Sequence, residues 1–114
     1  MLEAGVKVIE LGTLIAGPFA ARMFAEFGAE VIKVESPDGG DPFRGWGERN
    51  YAATFCSLNR NKKGLAIDLK HPQGKELFLR MVDSGALVTG TYQQLYAPGT
   101  LEVIGKAHEI LEKQ

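Results

Sequence analysis

This chain is poor in the residues that most often announce a chemistry. Its 114 residues include one cysteine, Cys56, and two histidines, His71 and His108. One cysteine closes no internal disulfide, so burial rather than cross-linking must hold the fold. Cys56 has neither a glycine elbow nor a neighbouring histidine to activate it and reads as a buried small hydrophobe. No grouping of His, Cys and carboxylates has metal-ligand spacing, so no metal site is expected. Neither sign of charge is in excess: 13 Lys and Arg stand against 14 Asp and Glu, which argues against non-specific nucleic-acid binding. No apolar run reaches the roughly eighteen residues of a bilayer span. Glu3 lies near the start and no basic segment precedes an apolar one, so no secretion signal is visible and a reducing cytoplasm is expected. No internal repeat is seen. The apolar fraction of 45% and charged fraction of 24% are those of an ordinary globular protein. The length suits one domain or part of one, burying roughly two-thirds of its unfolded surface.

What is present is organised around Val6 to Glu35. Lys7 to Leu11 (KVIEL) is a β-branched, apolar run ending at Gly12, as in a buried strand. Gly17-Pro18 breaks the chain, and Pro18 suits the first position of a helix, where its missing N–H costs nothing. Phe19, Met23, Phe24 and Phe27 share one helical face, expected to be the buried one, and Gly28 suits a left-handed cap. Val31 to Val34 (VIKV) reads as a second buried strand. A strand–helix–strand crossover in one sheet is right-handed almost without exception. It places the loop Thr13 to Gly17 at the carboxyl end of the first strand, facing a helix N-terminus. Open α/β sheets bind ligands there, and the unpaired N–H groups with the helix dipole favour an anion. The loop has no G-x-G-x-x-G fingerprint. On these grounds it is either a ligand loop or an ordinary connection.

Ser36 to Arg49 (SPDGGDPFRGWGER) is a long turn-rich loop, either functional or mobile. Phe43, Arg44 and Trp46 within it either stack on a planar base or pin the loop to the body. Thr54 to Leu58 (TFCSL) is expected to be a short strand. Asn59 to Gly64 (NRNKKG) reads as a basic turn, either solvated or in contact with phosphate. Leu65 to Leu69 (LAIDL) alternates as a strand with Lys70 at its exit. Pro72 opens a second helix with Leu77, Phe78, Met81 and Val82 on one face and Gly85 as its stop, and Ala86 to Thr91 is strand-like. His71 is expected to be exposed. Beyond Tyr92 the pattern weakens; Pro98-Gly99 is a breaker and Thr100 caps a final helix carrying Leu101, Ile104, His108 and Leu111. Two strand–helix–strand units in tandem predict an α/β, Rossmann-like layered domain.

Several runs taken together resemble the family III CoA-transferases, which include formyl-CoA transferase, carnitine CoA-transferase and the α-methylacyl-CoA racemases. They are Ile15-Ala16-Gly17-Pro18-Phe19-Ala20, Gly28 to Glu35, Arg44-Gly45-Trp46, Leu58 to Lys63, and Ile67-Asp68-Leu69-Lys70 followed by Pro72, Gly74 and Leu77. The resemblance covers about residues 5 to 88, with residues 89–114 divergent. It implies the N-terminal portion of the family's large domain, in enzymes whose two subunits interlock like links of a chain. It also implies coenzyme A, carried as an acyl-CoA substrate, lying across Leu14-Ile15-Ala16, with its adenine and phosphate end at Ile67-Asp68-Leu69-Lys70. Lys70 would touch a phosphate or the ribose, backbone groups of Ile67 and Leu69 would flank the adenine, and Arg60 and Lys62 would add positive charge.

The chain departs from the family pattern in places. Some members have a glutamine where Ile15 stands and an arginine where Ser36 stands, so those two polar contacts are missing. Thr91 and Tyr92 stand near an Asn-Phe pair of the family, with extra residues before Pro98-Gly99. The aspartate whose carboxylate attacks the thioester in the family lies downstream of the region matched. Asp38, Asp41, Asp68 and Asp83 fall in turns, a strand or a helix end, so no catalytic residue is assigned. The expected function is the CoA-binding part of an enzyme that moves CoA between carboxylic acids through an aspartyl-CoA thioester. The alternatives are a non-catalytic interaction or assembly module with an apolar patch of Leu95, Tyr96, Leu101 and Ile104, a fragment of the racemase branch, and a generic nucleotide-binding domain.

Overall fold

A computed structural model describes residues 5–46 and 53–89. Strands β1 (Lys7–Glu10) and β2 (Glu30–Glu35) form where β-branched residues cluster and pair in parallel, Val8 opposite Val31 and Ile9 opposite Ile32. β3 (Lys62–Ala66) adds to the outside of β2, and β4 (Leu87–Thr89) pairs with β1, giving the order β3-β2-β1-β4 with every pairing parallel. Because successive strand residues face opposite sides, each face builds its own core. Val8 and Val31 meet Ala21, Ala25 and Ala29 on one side. Ile9 and Val34 meet Phe78 and Val82 on the other. Helices α1 (Ala16–Glu26) and α3 (Pro72–Asp83) therefore cover opposite faces, which explains why the inner strands read as nearly continuous apolar runs. This is the Rossmann-like α/β layering expected from the tandem units.

The buried face of α1 differs from expectation. Gly17, Pro18, Ala21 and Ala25 are buried, whereas Phe19, Met23, Phe24 and Phe27 are 36–51% exposed. Both sets recur at helical spacing, so periodicity alone does not say which faces inward. The small set lets the helix lie close to the sheet. The helix also begins at Ala16, which leaves Pro18 still within the first turn, where backbone N–H groups have no intrahelical partner. Its end is as expected: Gly28 has φ +105°, and Gly28 and Ala29 donate their N–H groups to the carbonyls of Ala25 and Phe24, a Schellman closure.

Further expectations are corrected. The TFCSL segment is a short helix, α2 (Ala53–Leu58), because Phe55 and Leu58, three residues apart, pack toward Phe43 and Leu14. The same turn points Cys56 outward, so it is exposed rather than buried. β3 starts three residues before the expected Leu65, since its pairing with β2 opens at Val31 opposite Lys62. The basic turn shrinks to Asn59–Asn61, with Asn61 left-handed at φ +64°, and Ile67 to Lys70 follow the strand instead of forming it. In α3, Phe78 and Val82 are buried and Leu77 is 45% exposed. Gly90 to Gln114 lie outside the described residues, and with them Tyr92, Pro98-Gly99, the helix after Thr100, His108 and the Leu95, Tyr96, Leu101 and Ile104 patch; so do residues 47–52.

Candidate functional site

Parallel pairing sends the carboxyl ends of β1, β2 and β3 to one edge, and β1 lies between β2 and β4, where the chain's direction of winding reverses. Such a switch point opens a crevice outside the strand ends. The loop leaving β1 is tightly built. A side chain on Gly12 would stand 2.9 Å from the Gly17 Cα, so only glycine lets the loop fold back on α1. Leu14 is left-handed at φ +61°, a conformation that costs a non-glycine residue on the order of 1 kcal/mol. Its N–H donates to Asp41 Oδ1 at 3.1 Å, and the same oxygen accepts from the Phe43 N–H at 2.9 Å.

Beneath this loop lies a buried charge cluster. Lys33 Nζ reaches Glu10 Oε1 at 3.1 Å, Asp41 Oδ2 at 2.9 Å and the Gly12 carbonyl at 3.1 Å. Lys62 Nζ reaches Glu10 Oε2 at 2.7 Å, the Pro18 carbonyl at 2.8 Å and Asn59 Oδ1 at 2.9 Å. Glu10 Oε2 and Asp41 Oδ2 are held by charge proximity without an aligned hydrogen bond. Burial pushes the Lys62 ammonium below its ordinary value, partly offset by Glu10. Glu35 at the end of β2 is also engaged. Arg44 grips it through two 2.7 Å bonds, and the Asp41 N–H donates to Oε2 at 2.7 Å. Burial raises the Glu35 carboxyl, but Arg44, the Asp41 N–H and Lys33 outweigh it and hold the group below its ordinary value.

Two depressions lie on this edge. One, of about 530 Å³, is lined by Gly12, Thr13, Glu35, Ser36, Gly40 and Asp41 among others. The other, of about 630 Å³, is lined by Ala66, Ile67, Asp68, His71, Gln73 and Gly74, with Leu77. Glu35 and Ala66 are partners across β2 and β3, so the two lie side by side. Leu14, Ile15 and Ala16 sit at the first loop, and Ile67, Asp68, Leu69 and Lys70 follow β3 on the same edge, with β2 between the groups. Ile15, Ala16, Asp68 and Lys70 are exposed, and Ile67 is buried.

The structure does not bring Arg60 and Lys62 to that surface. Arg60 pairs with Glu26 at the end of α1, on the opposite edge of the sheet, and Lys62 is consumed by Glu10 beneath the loop. Phe43 is buried against Phe55, whereas Trp46 is 64% exposed and meets Phe43 edge to face at 5.0 Å. His71 is exposed as expected, and its Nδ1 accepts the Gln73 N–H at 3.1 Å, capping α3. Sequence reasoning missed the buried cluster. Its signal was a carboxylate and an ammonium, Glu10 and Lys33, each inside an apolar strand run; the two prove to be partners in register. Among the described residues no group of His, Cys, Asp and Glu could hold a metal ion, and no helix is long and apolar enough to cross a membrane.

A parallel sheet covered on both faces, with a tightly built first loop at its switch point, defines a Rossmann-like α/β domain. The model of CoA-transferase family III matches residues 4–113, and the chain belongs to that family. It is 45% identical over 109 residues to succinyl-CoA--D-citramalate CoA-transferase of Chloroflexus aurantiacus, covering 93% of this chain and 26% of the relative. It is 38% identical to succinyl-CoA:glutarate CoA-transferase of Mus musculus, covering 96% of this chain and 25% of that protein. The chain thus spans about a quarter of the length of the curated relatives it matches. Among solved structures, a CAIB/BAIF family protein from Brucella suis superposes with a TM-score of 0.79 at 33% identity, over 93% of this chain and 30% of that one.

Proposed function

We propose that this chain is the CoA-binding N-terminal part of a family III CoA-transferase that moves CoA between carboxylic acids. In this reading the pantetheine arm of an acyl-CoA crosses Leu14, Ile15 and Ala16. The adenine rests near the backbone of Ile67 and Leu69 beside Asp68, and Lys70 meets a phosphate. The observation that carries the reading is the arrangement of these two segments on one edge: Gly12 and Thr13, which lead into Leu14, line one depression, and Ile67 and Asp68, which lead into Lys70, line the other. The acyl-transfer step, through an aspartyl-CoA thioester, falls to an aspartate outside residues 1–114, and the whole enzyme is an interlocked homodimer. A cytoplasmic setting fits the soluble acyl-CoA and carboxylic acid substrates.

Glu35 supports CoA over a dinucleotide. An acidic residue at the end of the second strand of a dinucleotide-binding unit receives the ribose hydroxyls, but both Glu35 oxygens are occupied by Arg44 and the Asp41 N–H. The outward apolar face of α1, with Phe19, Met23 and Phe27, favours the second reading, an assembly module that retains the fold without using CoA. Titration calorimetry of the chain with CoA separates the two. Weak binding that falls as salt rises is expected, and Lys70→Ala should weaken it roughly 3- to 10-fold, the loss of about 1 kcal/mol from one exposed charged contact. No heat and no melting shift at millimolar CoA would overturn the CoA reading.

A further inference from the structure

We propose that the buried carboxylate of Asp41 is a positioning group that sets the shape of the loop leaving β1 and, through that loop, its fit to CoA, without the carboxylate itself touching CoA. The second half rests on the function proposed above; the first does not. Leu14 is left-handed although it carries a side chain, and something must hold it there. The group that does so comes from 27 residues away: Asp41 Oδ1 accepts the Leu14 N–H at 3.1 Å. Asp41 is itself pinned from three sides. Lys33 faces its Oδ2 at 2.9 Å, its own N–H is bound to Glu35 Oε2 at 2.7 Å, and its Oδ1 also takes the Phe43 N–H at 2.9 Å. Lys33 additionally holds the Gly12 carbonyl at 3.1 Å, so the strained loop is tied at its start and at Leu14 to one buried ammonium–carboxylate pair. The side chain of Asp41 is fully buried. It can therefore act on a ligand only through the loop, and a rigid loop forgoes the ordering cost that a flexible one meets on binding.

The test compares Asp41→Ala with Asp41→Asn in the full chain. Asparagine keeps an oxygen for the Leu14 N–H but removes the charge facing Lys33; alanine removes both. Amide hydrogen exchange is followed at Leu14, with Val8 and Ile9 as references for the intact sheet, and CoA affinity is measured in parallel. Expected is a loss of at least 10-fold in Leu14 protection in Asp41→Ala, with the reference amides unchanged, and a CoA affinity about 5-fold weaker. Asp41→Asn should melt at a lower temperature yet keep Leu14 protection and CoA affinity within about 2-fold. If Leu14 stays protected in Asp41→Ala, or if both variants lose protection at all three amides alike, the positioning role is overturned. If Leu14 alone loses protection and CoA affinity is unchanged, the link to the ligand is overturned. A wild-type chain that binds no CoA defeats the function proposed above, and the exchange data still decide the positioning of the loop.

Discussion

Replacing Lys33 by methionine removes the ammonium from the buried cluster while keeping most of the side chain's volume. Lys33, Glu10, Asp41 and Lys62 have side chains no more than 3% exposed, so water cannot take over the lost contacts. The four charges sum to zero in the wild type. Lys33→Met leaves two carboxylates around a single lysine, and it also strips the Gly12 carbonyl of its Nζ–H donor. Breaking one side of a buried pair costs about 3–5 kcal/mol, a large share of the 5–15 kcal/mol typical of a whole domain. For a chain of this size that corresponds to a melting temperature lower by about 12 °C or more. The companion variant Lys33→Met/Asp41→Asn restores neutrality and leaves the Glu10–Lys62 pair at 2.7 Å intact. It should recover at least about 1 kcal/mol relative to the single variant. Thermal and urea melts followed by circular dichroism measure both quantities. A single-variant cost below about 1 kcal/mol, or a double variant no more stable than the single one, would refute the claim that charge balance in a dry site governs this edge of the sheet.

Two further outcomes follow from the same edge. Glu35 is held below its ordinary value of 4.5, so the folded state binds its proton less readily than the unfolded one. The stability it contributes is present above that value and is lost as pH falls through the lower folded-state value. The gap in melting temperature between wild type and Glu35→Gln should narrow steadily once pH drops below 4.5, and a gap independent of pH would contradict the assignment. At the second depression, a side chain on Gly74 would overlap the Asp68 carbonyl oxygen and crowd Ile67. Gly74→Ala should therefore cost about 1–3 kcal/mol through displacement of the turn that carries Lys70. An unchanged or raised melting temperature would show that the turn yields freely.

Much of the layered plan could be read from residue order. The β-branched clusters at Val8-Ile9 and Val31-Ile32 and the left-handed stop at Gly28 are local signals, because backbone sterics and propensity act within a few residues; Gly17-Pro18, read as a break, instead lies inside the first turn of α1. The second strand exit was read less well: alternation carried the strand on to Leu69, whereas pairing with β2 ends at Ala66. Reading failed where the deciding contacts were distant. Phe55 turned a strand-like stretch into a helix by packing on Phe43. The pairing of Val31 with Lys62 moved β3 three residues earlier than alternation suggested.

The face of α1 shows the division most clearly. Both its small and its large residues repeat with helical period, so sequence determined that a helix forms there but not which side it buries. Only the short approach to Val8 and Val31 selected Ala21 and Ala25. The fate of the charges was likewise decided in three dimensions. Lys62 and Arg60 resemble phosphate ligands in a one-dimensional reading because both are cations in a turn-like run. The tertiary structure buried Lys62 beside Glu10, since burying a charge is tolerable only beside an opposite one, and left Arg60 exposed beside Glu26 at the far end of α1. Lys70 was left exposed on the carboxyl edge. Local order thus set the elements and their sequence, and long-range packing and charge pairing set which side chains remain available to a ligand.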